Sequence, residues 1–312
     1  MVGPTAVGKT ELALKLAPQI AAEIISCDSM QVYVGMDIGT SKPTLQQRGL
    51  VKHHLVDSIF TRQEYSAADY REDANRIIRQ LFRESKTPLV VGGSGLYYKA
   101  LVDGIFAGPA KNPQLRHELY MEARTKGNEF LYGKLQELDP DTAVKLHPND
   151  TRRIVRALEV YYSSGVPISL LRKKTVGLAN EFDIIVWGLN RPRNELYQRI
   201  EERVEEMFDS GIVEEVKRLK ENAITQIAQQ SLGYKEVLSF LEGRFALDET
   251  KELLKRNTRR FAKRQLTWFR ADKRIEWIGL DENTDLDNLA EQLAGKIRIR
   301  IRTDQKQIHT DK

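Results

Sequence analysis

Residues 3–10 read Gly3-Pro4-Thr5-Ala6-Val7-Gly8-Lys9-Thr10 and satisfy GxxxxGK[ST] at every defined position. Each residue type has a physical task there. The glycines let backbone amides converge on phosphate oxygens, and a helix beginning at Lys9 would aim its positive end at the same anion. Lys9 would neutralise charge, and the Thr10 hydroxyl suits a magnesium ion held against the phosphates. Downstream, Lys9–Ala17 has helical composition, Pro18 follows its end, and Glu23–Cys27 (EIISC) is short and β-prone before the polar Asp28 and Ser29. A loop of this kind hangs from a buried strand, yet only Met1 and Val2 precede it. The expectation is that the recorded start lies downstream of the true one; the alternative is that another segment fills that slot in the sheet.

The alternation continues outward from the loop. A helix over about Ala67–Ser85 stops before Pro88, and Leu89-Val90-Val91 forms an apolar strand that runs into Gly92-Gly93-Ser94-Gly95 and a further helix. Strands alternating with helices argue a parallel sheet covered on both faces. From Asp103 the character changes. Pro109, Pro113, Pro140, Pro148 and Pro167 punctuate short helical segments, and the next convincing strand is Asp183–Leu189 (DIIVWGL). Long charged helices are then expected over Arg193–Ser210, Ile212–Asn222 and Leu247–Arg270, followed by a strand at Ile275–Ile278 and an acidic helix. Lys296–Arg302 (KIRIRIR) alternates strictly, a strand-like period with one basic face. The expected fold is α/β, a P-loop NTPase-like parallel sheet core (1–102 and 181–312) with a helical insertion domain (103–180).

Composition narrows the classes. Over 312 residues, 41% hydrophobic and 30% charged content exclude disordered, collagen-like and disulfide-scaffold proteins. No apolar run approaches the roughly 18 residues of a membrane span, and no signal peptide opens the chain, so a cytoplasmic protein without membrane association is expected. Cys27 is the sole cysteine, and the five histidines form no metal-binding spacing. The net charge of +5 says little by itself, but its placement says more. Lys251–Arg274 holds ten basic residues against Glu252 and Asp272, whereas Ile275–Ala294 holds six acids and no base. Such clustering fits a nucleic-acid footprint or a solvated helix face. Within it, Arg256, Arg260, Lys263 and Arg270 share one side of a helix, and Leu254, Phe261 and Trp268 are expected to form its core stripe.

A phosphoryl-transfer enzyme with this loop carries an Asp at the end of a second apolar strand. Here that strand ends in Gly92-Gly93-Ser94. Asp28 is the nearest acid to the expected phosphate site, and reads either as an active-site carboxylate or as a turn cap.

GPTAVGKT is followed in order by DSMQVYVGMDIGTSKP (Asp28–Pro43), HHLVD (His53–Asp57), YSAADY (Tyr65–Tyr70), VGGSGLYYKAL (Val91–Leu101), HPNDTRRIVRALEV (His147–Val160), LGYKE (Leu232–Glu236) and RRFAKRQLTWFR (Arg259–Arg270). Together these motifs resemble the tRNA dimethylallyltransferases, or tRNA isopentenyltransferases, over Gly3 to about Ile278. The resemblance implies transfer of a dimethylallyl group from dimethylallyl diphosphate to the exocyclic amine of the adenosine just 3′ of the anticodon, with release of diphosphate. It implies that Asp28 orients that amine and accepts its proton, while Lys9, Thr10, the loop amides and Mg2+ stabilise the departing diphosphate. Arg203 matches a family arginine facing the diphosphate; from the residues alone it reads as a surface helix arginine paired with glutamates. Ser94 matches a channel position where the family more often has Thr.

The resemblance further implies that the tRNA anticodon stem-loop is contacted by Asp28, Ser29, Met30 and Gln31, by Ser94, by Arg116, by Arg152, Arg153, Ile154, Val155 and Arg156, by Gln230, Ser231, Leu232, Gly233, Tyr234 and Lys235, and by Lys263, Arg264, Gln265, Leu266, Thr267, Trp268, Phe269 and Arg270. A monomer is expected. The phosphate loop alone would also suit a small-molecule or nucleotide kinase, and the basic helix alone a non-catalytic RNA-binding module. Cys27 reads as a buried strand residue, His53 and His54 as structural or solvated, and Tyr97 and Tyr98 as channel lining or helix packing.

Overall fold

The computed structural model describes residues 1–106, 108–221 and 225–310, with side chains up to residue 300 in the last helix. The chain divides into two compact units, Met1–Leu101 with Asp183–Lys312, and Val102–Phe182.

The first unit begins on the phosphate loop. Gly8 takes a left-handed φ of 108° and caps α1 (Lys9–Gln19), whose Leu12, Ala13, Leu16 and Ala17 are buried along one face. β1 (Ala22–Ser26) is buried at every position, as a central parallel strand requires. α2 (Leu45–Leu50) and β2 (His53–His54) follow. α3 (Ala67–Arg83) starts at a capping box in which Ser66 and Asp69 satisfy one another's backbone N–H groups. β3 (Thr87–Val91) leads into α4 (Gly95–Val102).

The second unit is helical: α5 (Pro113–Lys126), α6 (Asn128–Leu138), α7 (Pro140–Ala143), α8 (Thr151–Ser164) and α9 (Ile168–Lys173). Its core is built from Leu119, Leu131, Leu135, Ile154, Leu158 and Ile168. Glu159, fully buried, accepts Asn112 N–H and is clamped by Arg116 at 2.6 Å and Arg156 at 2.8 Å. Burial alone would raise the Glu159 pKa, but these bonds overcome it and hold the carboxyl below its ordinary range.

The chain returns to the first unit with β4 (Val186–Asn190), α10 (Arg193–Asp209), α11 (Ile212–Glu221), α12 (Gln226–Gln229), α13 (Tyr234–Leu241), α14 (Leu247–Arg270), β5 (Ile275–Gly279) and α15 (Leu286–Thr310). Asn222, expected at the end of α11, lies outside the described residues. β2-β1-β3 form one parallel sheet and β4-β5 another. Val2 sits between them, making parallel bridges to Gly92 and Gly188. Its N–H donates to Trp187 O at 2.8 Å and its carbonyl accepts Leu189 N–H at 2.9 Å. Met1 joins it, donating to Val90 O at 2.7 Å and accepting Gly92 N–H at 3.2 Å, so these two residues occupy the slot beneath the phosphate loop. α1 packs on α15, with Ala290, Leu293 and Ala294 buried in the same core as Leu12 and Leu16.

Two expectations require correction. Lys296–Arg300 continues the helix α15 instead of forming a strand. Leu286, Leu289, Ala290, Leu293, Ala294 and Ile297 give α15 an apolar face at helical spacing, and that face outweighs a short alternating run. Arg298 reaches Gln19 O at 2.8 Å, and Arg300 pairs with Asp183. The core stripe of α14 is Thr250, Leu254, Thr258, Ala262, Gln265 and Phe269. Of the expected stripe only Leu254 belongs to it; Phe261 is half-buried and Trp268 is 36% exposed.

Candidate active site

The phosphate loop bends through φ of 149° at Gly3, 63° at Ala6 and 108° at Gly8. A Cβ at Gly3 would lie 2.7 Å from Leu189 O, so that position has no room for a side chain. Lys9 folds back over the loop, and its Nζ donates to Gly3 O at 3.0 Å and Pro4 O at 2.6 Å. Burial, and then the neighbouring Arg203 charge, bring its pKa down to about 7 despite the opposing pull of Asp28.

Three arginines brace the loop from outside. Arg191 Nε donates to Val7 O at 3.1 Å, Arg199 Nε to Ala6 O at 2.9 Å, and Arg203 to Thr5 Oγ1 at 3.0 Å. The carbonyls of Ala6 and Val7 are occupied in this way, and of the loop's amides Thr5 N–H is bonded to Gln265 Oε1 at 2.9 Å. Arg199 and Arg203 lie one helical turn apart on α10, so both reach the loop. Arg203 is packed deeply enough that burial, followed by Arg199, lowers its pKa.

A cleft of about 380 Å³ opens from the loop. Lys9, Thr10 and Arg203 line one part of it, and Asp28–Gln31, Ser94, Gly233 and Lys235 line another. Asp28 lies two residues past the end of β1. Its Oδ1 accepts Met30 N–H at 2.9 Å and Gln31 N–H at 3.4 Å, so the cap reading of this residue holds for one oxygen. No hydrogen bond engages the other oxygen among the described residues. Ser94 Oγ accepts Ser29 N–H at 3.0 Å, tying the turn after β1 to the end of β3.

The remaining wall depends on Glu215, which the sequence motifs did not reveal as a site residue. Its carboxylate, 2% exposed, accepts the N–H groups of Asp37, Ile38 and Gly39 at 3.0, 2.9 and 3.2 Å, and the Tyr234 hydroxyl at 2.6 Å. This fixes the 36–43 loop, whose Gly39, Thr40, Ser41 and Pro43 line the cleft, against the Gly233–Tyr234 turn. Tyr234 packs so closely on Gly39 that a Cβ there would fall 2.4 Å from its ring. Lys42, buried beneath, binds Asp37 at 2.6 Å and Asp57 at 2.5 Å. A tract such as MDIGTSKP gives no local cue that its amides need a carboxylate from 176–178 residues away.

The structure gathers Thr5–Thr10, Asp28–Gln31, Ser94, Arg203, Gln230–Gly233, Lys235, Arg264 and Gln265 around one cleft, while Gly3 and Pro4 shape the loop without lining it. Phe261 and Thr258 join them from α14. Lys263, Thr267, Trp268 and Arg270 are exposed on that helix, Leu266 is half-buried, and Phe269 is wholly buried. Tyr234 is likewise buried and packs behind the wall. Arg116 and Arg152–Arg156 belong to the second unit, where Arg152 and Arg153 are exposed while Ile154 and Val155 lie inside the core. Tyr97 stacks on Tyr70 at 4.3 Å, and Tyr98 donates to Asp272 at 2.8 Å; both pack α4 and neither lines the cleft. His53 borders the cleft, with Nδ1 2.7 Å from Val51 O, and His54 lies 2.6 Å from Glu23. Burial pushes the Cys27 thiol up to about 12, which leaves it no thiolate character at neutral pH.

Among the described residues no group of three or more His, Cys, Asp or Glu is placed to hold a metal ion. Near the loop, the Thr5 hydroxyl is engaged by Arg203 and the Glu11 carboxylate by Arg199, and the Thr10 hydroxyl and the Asp28 carboxylate remain as oxygen donors. Such a sparse set fits Mg2+, which takes one or two protein oxygens and completes its shell with substrate phosphates and water. No acid can follow β3 directly, because a Cβ on Gly92 would lie 2.1 Å from Cys27 O. Among the described residues, no helix is long and apolar enough to cross a membrane.

A braced phosphate loop that shares its cleft with a strand-end carboxylate, with no acid ending β3, defines a P-loop α/β enzyme adapted to bind a phosphorylated substrate. The IPP transferase profile matches residues 31–272. The chain is 45% identical over 295 residues to the tRNA dimethylallyltransferase of Carboxydothermus hydrogenoformans, covering 94% of each chain. It is 44% identical over 283 residues to that of Halothermothrix orenii, covering 90% of this chain and 86% of the other. Among solved structures, the tRNA isopentenylpyrophosphate transferase of Bacillus halodurans matches with a TM-score of 0.73 and 36% identity, over 99% of this chain and 97% of that one. A eukaryotic dimethylallyltransferase acting on tRNA matches with a TM-score of 0.77 and 28% identity, over 97% and 78% respectively. The chain belongs to the IPP transferase family, the tRNA dimethylallyltransferases.

Proposed function

We propose that the chain transfers the dimethylallyl group of dimethylallyl diphosphate to the exocyclic amine of the adenosine 3′-adjacent to a tRNA anticodon, acting as a cytoplasmic monomer. The observation that carries this reading is the single cleft shared by an anion cradle and the Asp28 carboxylate. The diphosphate of the donor occupies the loop, against its amides, Lys9, Thr10 and Arg203. The adenine, turned out of the anticodon loop, enters from the Asp28–Gln31 and Gly233–Lys235 side.

In the transfer, the amine nitrogen forms a bond to the allylic C1 as the C1–O bond breaks, and diphosphate leaves with the bonding electron pair. The amine proton passes to the Asp28 oxygen that the turn leaves unbonded, while the capped oxygen keeps the carboxylate fixed. Charge grows on the leaving diphosphate, and Lys9, once it exchanges its bonds to Gly3 O and Pro4 O for the anion, stabilises it together with Arg203 and the loop amides. Thr10 would hold Mg2+, which would supply further charge neutralisation when bound. The exposed Lys263, Arg264 and Arg270, together with Arg152 and Arg153, neutralise tRNA phosphates. Gly92 opposes the kinase alternative, since it leaves no place for the acid that would hold a nucleotide's metal.

The test is incubation of the protein with radiolabelled dimethylallyl diphosphate, Mg2+ and unmodified tRNA. Label appears in the tRNA if the reading is right. A folded protein that leaves the tRNA unlabelled at every Mg2+ concentration refutes it.

A further inference from the structure

Between Lys263 and Arg270 the helix α14 separates sharply into two faces. Lys263, Arg264, Thr267 and Arg270 meet solvent, whereas Gln265 is 7% exposed and points into the first unit. Gln265 Oε1 accepts the N–H of Thr5 at 2.9 Å, and Nε2 donates to Gly93 O at 2.9 Å. A carboxamide has its acceptor and donor on opposite ends of one plane, so this one side chain staples the phosphate loop to the strand end that carries Ser94. The fit is close: a Cβ on Gly93 would lie 2.4 Å from Nε2. Among the described residues no other side chain of α14 bonds to the phosphate loop.

Thr5 is held a second time, from α10, by Arg203 on its hydroxyl. The two helices are themselves locked together. Arg259 pairs with Glu201 at 2.6 Å, and Lys251 and Lys255 each reach Glu205 at 2.7 Å. Any adjustment of α14 is therefore felt at Thr5 through both its N–H and its hydroxyl. Arg264, on the basic face of α14, is the residue next to the staple and also borders the cleft.

We propose that Gln265 is a positioning residue that makes diphosphate affinity depend on the tRNA held by the exposed face of α14. The inference rests on the tRNA-prenylation reading above. It also revises the place of Gln265: this residue transmits RNA contact to the cradle without touching RNA. Coupling of this kind is reciprocal, so bound diphosphate tightens tRNA binding by the same factor that bound tRNA tightens diphosphate.

The experiment measures binding of inorganic diphosphate with Mg2+ to the full chain by calorimetry, with and without saturating unmodified tRNA. The wild type gains about fivefold or more in diphosphate affinity with tRNA present, the usual range for coupled sites. Gln265→Met fills the same volume without hydrogen bonds; its gain falls below about twofold, while its tRNA affinity measured alone changes by less than about twofold. Gln265→Glu keeps the acceptor for Thr5 and retains part of the gain. Gly93→Ala displaces the amide from the other side and reproduces the loss. A wild type without coupling overturns the proposal, as does a Gln265→Met chain with coupling intact. A tenfold loss of tRNA affinity with coupling preserved also overturns it, by making Gln265 a plain RNA contact. Transfer of labelled dimethylallyl by the wild type is scored separately. Transfer without coupling removes this inference and leaves the function standing, whereas no transfer and no tRNA binding removes both.

Discussion

Removing the Glu215 carboxylate should release one whole wall of the cleft. Its Oε2 accepts Asp37 and Ile38 N–H, and its Oε1 accepts Gly39 N–H and the Tyr234 hydroxyl. In Glu215→Ala all four donors lose their acceptor, and each buried donor left unsatisfied costs about 1–3 kcal/mol. Water entering the gap recovers part of this, so a loss of about 3 kcal/mol is expected, which is roughly 6–12 °C in Tm for a unit of this size. Glu215→Gln behaves differently. Its oxygen can take the Oε2 position and keep Asp37 and Ile38, while its amide nitrogen donates to Tyr234, whose hydroxyl can also accept. Only the 3.2 Å bond from Gly39 and the charge assistance are lost, so about 1–1.5 kcal/mol is expected. Hydrogen exchange resolves the local effect. The Asp37–Gly39 amides should lose protection in the alanine variant, and Asp37 and Ile38 should keep most of it in the glutamine variant. Unchanged protection at these three amides in Glu215→Ala would refute the clamp.

Asp28→Asn retains an Oδ1 acceptor for Met30 and Gln31 N–H; tRNA binding should survive while single-turnover transfer falls by roughly 10²-fold or more, and near-normal transfer would remove Asp28 as the proton acceptor. With its free-state pKa at about 7, Lys9 loses its ammonium as pH rises through that value, and a bound anion raises the pKa again. Binding of diphosphate should therefore take up a proton, and affinity should decline above pH 7 by up to about tenfold per unit relative to Lys9→Arg, whose guanidinium does not titrate there; parallel pH profiles would contradict this. Lys263→Gln combined with Arg264→Gln should flatten the slope of log tRNA affinity against log salt by about 1–2 and leave inorganic diphosphate binding within about twofold; an unchanged slope would take α14 out of phosphate contact.

Elements whose cues are local could be read from the sequence directly. Gly8-Lys9 opens α1, the Ser66–Asp69 capping box opens α3, and α14 ends at Arg270 as its spacing predicts. β2, two residues long, offers too short a pattern to register, and it exists because Ile24 and Ile25 pair with His53 and His54. The KIRIRIR run misleads because tertiary packing on α1 selects the helix over the local alternation. At the site, the cradle and Asp28 are legible because the chemistry demands those residue types at those spacings. Glu215 and Gln265 are not, because each works on backbone groups distant in sequence, and a carboxylate in EEVK or an amide in KRQL carries no mark of its partner. The misplaced stripe on α14 has a related cause. Period-seven counting favoured the large aromatics Phe261 and Trp268, whereas the structure buries the small Thr258 and Ala262 where the helix must approach its neighbours closely.

The pair Gly92-Gly93 also bears on what this scaffold can become. A Cβ at Gly92 would strike the Cys27 backbone at 2.1–2.8 Å, and one at Gly93 would strike the Gln265 amide. An acid at Gly92 would thus require β1 and β3 to separate, whereas one at Gly93 would have to displace the Gln265 amide. Backbone geometry thus keeps the position directly after β3 bare, and change around the cleft falls on the neighbouring positions that carry side chains, such as Ser94.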